Sequence, residues 1–111
     1  MITREEILAE AKNCICGERE NDYGSPEDNF ARISKLWSAY LEKEISSIDV
    51  AVMMCLFKVA RMSGPNRGGI DSFVDLAGYA ACGGEIFSKL HEISSWLNLE
   101  FILTFWFDLD L

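Results

Sequence analysis

The stretch "SSIDVAVMMCLFKVARM", residues 46–62, decides the fold. From Val50 to Val59 nearly every residue is apolar. Ser46 with Asp49 three residues on forms a capping box that starts a helix at once. Lys58 and Arg61 enter only near its end, so the pattern predicts a central helix buried on most sides.

Toward the N-terminus, "DNFARISKLWSAYL" (28–41) places Phe30, Ile33, Leu36, Trp37, Tyr40 and Leu41 on one helical face. Ser25 can cap that helix, Pro26 suits its first position, and Glu27 and Asp28 favour the positive end of its dipole. It should run to about residue 42. The preceding "GERENDYG" (17–24) is charged and glycine-bounded, as a loop reads. Before it, Thr3 and Glu6 make another capping box, and Ile7, Leu8, Ala11, Cys14 and Ile15 recur at helical steps until Gly17 offers a stop.

Toward the C-terminus, "SGPNRGG" (63–69) carries three glycines and a proline and reads as an irregular, flexible loop. Asp71 or Ser72 can cap a fourth helix that runs to about His91. Its "AGYAACGG" segment (77–84) is rich in small residues, which lets another helix approach closely although glycine lowers helix stability. The expectation is an all-α bundle of about four helices over residues 1–92. Residues 93–111, "ISSWLNLEFILTFWFDLDL", form an apolar C-terminal tail that reads equally as a strand, a helix or an oligomerisation arm covering a partner subunit.

Composition bounds the function. The 111 residues suffice for one domain with one modest core. Ten basic residues against eighteen acidic ones give a net charge of -8, which repels polymeric nucleic acid, whereas a small nucleotide accompanied by a divalent cation is tolerated. Cys14, Cys16, Cys55 and Cys82 follow no zinc spacing, and His91 is the one histidine available to help them. Cys55 and Cys82 read as small core residues. The opening "MITREEILAEAK" is charged where a secretory signal would be apolar, and the tail is too short and acidic for a membrane span, so a cytoplasmic setting is expected.

Three constellations could carry chemistry. Asp71 and Asp75 lie four residues apart on one face, extended by Tyr79, and such a ladder can hold a hard cation or merely face solvent beside the positive helix end. Lys58 and Arg61 share a face and can bind phosphate or pair with those acids, by buried ion pairs that only tie the helices together. Tyr23, Gly24, Asn29 and Arg32 cluster around the start of the second helix, where Tyr23 can stack on a base or plug the bundle. Signatures of acyl transfer, of a P-loop and of a dinucleotide fold are absent.

The blocks "DYGSPEDNFARISKLWSAYL", "SSIDVAVMMCLFKVARM" and "DSFVDLAGYAA" together resemble a small domain family of unknown function common in tailed phages and prophages. The family's pattern reads D-Y-G-x-P-E-x-N-F, then K-x-x-R, then D-S-x-x-D-x-x-G-Y. It is similar in turn to phage nucleotide-modification-associated domains and, more distantly, to the MazG-like all-α NTP pyrophosphohydrolases. The resemblance implies a nucleotide-binding protein, with a Mg-dependent pyrophosphohydrolase-like activity in one version. Asp71, Asp75, Asp49 and Glu27 would then hold magnesium, while Lys58 and Arg61 neutralise phosphate. Tyr23, Gly24, Asn29, Arg32 and Tyr79 would contact the ligand. Asp71 and Asp75 stand one residue further apart than the pair in those enzymes, and their E-x-x-E set has no direct counterpart here. The alternative is a non-catalytic protein that sequesters a host signalling nucleotide or blocks a host protein. A homo-oligomer is expected in either case, because a short chain gains core by pairing.

Overall fold

The computed structural model describes residues 1–17, 22 and 24–92, and among these the main elements are four α-helices: α1 (Arg4–Cys16), α2 (Pro26–Leu41), α3 (Ser47–Met62) and α4 (Gly69–Leu90). The tail, 93–111, lies outside the described residues. Among the described residues no helix is long and apolar enough to cross a membrane. The all-α reading is borne out.

Side-chain caps set three of the four starts. Thr3 accepts from the Glu6 amide, Ser25 from the Asp28 amide at 3.2 Å, and Ser46 from the Asp49 amide at 3.0 Å. At α3 the box is complete, since the Asp49 carboxylate accepts the Ser46 N–H at 2.9 Å. At α1 it is not: the Glu6 carboxylate takes the Thr3 hydroxyl proton instead. The helix α2 ends on Glu42, in the left-handed region with its N–H donated to Ser38 O.

The fourth start differs from expectation. Neither Asp71 nor Ser72 caps α4. A 3₁₀ turn, Pro65–Gly68, leads straight into it, and residues 66 to 69 all have positive φ. Two of those positions, Asn66 and Arg67, are not glycine, so the turn stores backbone strain. Gly68 also leaves no room for a side chain: a Cβ there would lie 2.4 Å from Ser72 Oγ and 3.0 Å from Arg61 O. Ser72 is buried and donates to Gly68 O at 3.0 Å, which binds the turn to the first turn of α4. The segment 63–69 is thus a compact reversal and not an irregular loop.

This reversal lays α4 back along α3, and the two make the most extensive contact between elements. Gly83 is what brings them close, since a Cβ at that position would meet Ala51 Cβ at 2.8 Å. Gly78 does the same for α1 through Ile15. Helix α1 packs on α4 and α2 packs mainly on α3. Phe30, Val50, Ala51, Cys82 and Ile86 form the buried centre, with Ile33, Trp37, Ile48 and Met54 packed around it.

The expected burial of α3 on most sides is corrected. Only Val50 and Ala51 of this helix are buried, while Val52, Met53, Leu56, Phe57 and Val59 are exposed. An unbroken apolar run says that a helix avoids water on all sides; it does not say that one chain supplies enough neighbours to cover it.

Gly83→Ala tests the close approach. Helix propensity favours alanine by about 1 kcal/mol. Overpacking against Ala51 costs roughly 1–3 kcal/mol. The expected net effect, read from urea unfolding, is a loss of about 1 kcal/mol. A gain in stability would show that α3 and α4 separate without cost.

Candidate functional site

A cleft of about 160 Å³ opens where the end of α1, the start of α2 and one face of α4 meet. Ile15, Phe30, Ile33, Met54, Val74 and Cys82 make it largely apolar, and Gly24, Pro26 and Gly78 complete the wall. Its polar groups are few and come from separate parts of the chain: Asn29 of α2, and Asp75 and Tyr79 of α4, with Cys14 at the α1 side. Asp75 and Tyr79 share the cleft because four residues return a helix to the same face. The Tyr79 ring lies tilted against Phe30, with centroids 6.3 Å apart, so the cleft has an aromatic wall.

Asp75 does not stand alone in that wall. Lys58 Nζ, from α3, lies 2.9 Å from Asp75 Oδ2, with the two side chains 17% and 32% exposed. The pair crosses the α3–α4 contact, and Asp75, unlike Lys58, is one of the residues that line the cleft. Of the pairings that the sequence left open to Lys58, this is the one formed. Arg61 instead sits over the exposed ring of Phe57 at 4.9 Å, a cation–π contact.

Gly24, Asn29, Asp75 and Tyr79 converge on the cleft as expected site residues. Arg32 is exposed on α2 and Asp71 exposed in the first turn of α4, one turn beyond Asp75; neither lines the cleft. Tyr23 lies outside the described residues.

The four carboxylates expected at magnesium are not brought together. Asp49 is spent on the capping box, and the hydrogen bond from the Ser46 backbone holds its carboxyl below the usual carboxylate range. Glu27 forms an ion pair with Lys89, at the opposite end of α4 from Asp71. Among the described residues no three His, Cys, Asp or Glu side chains gather as a metal site.

The Glu27–Lys89 clamp has no signal of its own in the sequence, although the Glu85–Lys89 spacing of four residues hints at a paired lysine. The hydrogen bond from Lys89 lowers the Glu27 pKa from its ordinary value, and the same contact raises that of Lys89. A carboxyl lowered by folding stabilises the native state above its unfolded pKa, and the benefit is lost as pH falls through the folded pKa. Glu27→Gln should therefore flatten the loss of stability on acidification below about pH 4.5, where the unfolded carboxyl begins to take up its proton. Urea midpoints across an acid series measure it; an acid limb as steep as in the parent chain would refute the clamp.

For the Lys58–Asp75 pair, a double-mutant cycle over Lys58→Met and Asp75→Asn should give a coupling energy of about 1–2 kcal/mol, between the values of exposed and buried pairs. Coupling near zero would mean that the contact does not tie α3 to α4.

Three sequence blocks, then, meet at one cleft and one ion pair, and all three fall in a region with known relatives. A family model described as "Domain of unknown function (DUF6378)" matches residues 6–87. The Gene 55 protein of Mycobacterium phage D29 is 52% identical over 85 residues, 77% of this chain and 56% of that protein. The Gene 55 protein of Mycobacterium phage L5 is 47% identical over 75 residues, 67% of this chain and 47% of that protein. The chain thus spans about half the length of the curated relatives it matches. No solved structure matches it. With most of its length covered by the family model and by phage relatives of this identity, the chain belongs to the DUF6378 family, a phage-associated domain of unknown function.

Proposed function

We propose that the chain is a phage nucleotide-binding protein whose cleft takes the base of its ligand. One observation carries this reading. Asn29, Asp75 and Tyr79, from distant parts of the chain, supply polar groups to an otherwise apolar cleft of about 160 Å³. An apolar cavity of about 150 Å³ accepts a benzene-sized ring. The space therefore suits one flat ring system, while sugar and phosphate stay outside it. Asn29 offers both a donor and an acceptor and the Asp75 carboxylate an acceptor, which matches the mixed edge of a nucleobase. Tyr79 and Phe30 give the ring an aromatic surface to pack on.

Binding without turnover is the version favoured by the acids. Asp75 is already paired with Lys58, while Asp49 and Glu27 are engaged in a cap and a clamp. The described carboxylates do not gather into a magnesium cage. A second reading, a magnesium-dependent pyrophosphohydrolase of MazG-like type, draws on Asp71 and Asp75 sharing one face of α4 one turn apart.

Calorimetry of the full chain against ATP, GTP, cyclic nucleotides and free nucleosides, with and without magnesium, tests both. Saturable binding of a nucleobase-bearing ligand is expected, weakened about tenfold or more by Asn29→Ala and by Asp75→Asn, or roughly 1.4 kcal/mol each. Binding independent of magnesium, with the nucleotide recovered intact, supports the binder. Magnesium-dependent pyrophosphate release that Asp71→Ala abolishes supports the enzyme. Absence of binding to the whole panel, or binding that both substitutions leave unchanged, sinks the proposal.

A further inference from the structure

The outer flank of α3 is apolar and open in a chain that is otherwise acidic. Val52, Leu56 and Val59 are 52%, 60% and 44% exposed, and Met53 beside them 37%. Steps of four and three residues make 52, 56 and 59 a continuous seam, extended by Asp49 and Ser63 at steps of three and four. Alternating steps of that kind are the repeat with which one helix packs its side chains between those of another. A helix that merely faced solvent would carry polar residues there.

We propose that this seam is the surface through which two copies of the chain associate, α3 against α3, about a two-fold axis near Leu56. Antiparallel pairing about that axis sets Leu56 of one copy beside Leu56 of the other and Val52 near Val59, so one patch complements itself. Charge favours a second copy at this place. At a net charge of -8, like molecules repel through most of their surface. Between Asp49 and Ser63 the seam holds no charged residue, and the two cations of α3 are held elsewhere, Lys58 by Asp75 and Arg61 over Phe57.

A second copy laid along the seam would cover α3 over its length of about 24 Å. The single chain needs such cover, since Val50 is the one large side chain buried completely among the described residues. The cleft involves other faces of the helices, so this proposal stands apart from nucleotide binding.

Sedimentation equilibrium of the full chain should show a dimer that Leu56→Asp converts to a monomer of unchanged helicity by circular dichroism. Leu56→Cys should form a disulfide-linked dimer on mild oxidation, while Leu36→Cys, comparably exposed but on α2, should not. This second readout serves if the aspartate variant fails to fold. A monomeric parent chain overturns the proposal, including one in which hydrogen exchange shows the Leu56 region protected by residues 93–111. So does a dimer that survives Leu56→Asp, or one that cross-links equally through Leu36→Cys.

Discussion

The approach of α3 to α4 at Ala51 and Gly83 is the constraint on which the rest of the molecule depends. At that spacing the two helices act as one slab, and each of the others has only a lateral groove to occupy: α1 along α4 through Gly78, α2 along α3 through Phe30 and Trp37. The cleft exists because α1 and α2 meet over the slab without closing on each other. The Lys58–Asp75 pair spans the same helix contact, so a change in helix spacing would move the carboxylate at the cleft together with the core. Packing and site are here one mechanical unit, and glycines that cost helix stability are retained where the slab is tightest.

How much of this was legible depends on range. Caps are local chemistry, and Thr3, Ser25 and Ser46 announced three helix starts because a hydroxyl needs only the amide three residues ahead. The start of α4 departs from its expected cap for a related reason. Gly68 and Gly69 admit a left-handed turn that carries the chain directly into the helix, and Ser72 bonds backwards to that turn instead of capping. Burial is not local. The run from Val50 to Val59 states its aversion to water, but whether a neighbour covers it depends on the whole assembly, and α2 and α4 cover only one side.

The site divides along the same line. Asp75 and Tyr79 could be placed together from their spacing alone, and Gly24 and Asn29 stood out at the start of the second helix before the three-block resemblance joined them to the same set; all four reach the cleft. Choosing Lys58 over Arg61 as the partner of Asp75 required the crossing of two helices, which no spacing within one helix encodes. The expected metal set failed to gather for the opposite reason. Asp49 and Glu27 are acids at helix starts, where a cap or a dipole already accounts for a negative charge, so their type and position carried no information about a ligand.

This bears on what the cleft can recognise. An unpaired carboxylate beside an apolar space in an acidic protein would ordinarily repel an anionic ligand, and burying it would cost stability. Lys58 offsets both effects without itself lining the cleft, leaving Asp75 as a hydrogen-bond acceptor whose charge is largely balanced. On the nucleotide-binding proposal, discrimination would rest on the ring's hydrogen-bonding edge, with a donor for Asp75 and a complementary pair for Asn29. A ring lacking that donor would leave the carboxylate with an unmet lone pair in an apolar wall, a penalty larger than the loss of one contact. On the nucleotide-binding proposal, the cleft would choose among flat heterocycles by their polar edge, and the phosphate would add affinity from outside without taking part in that choice.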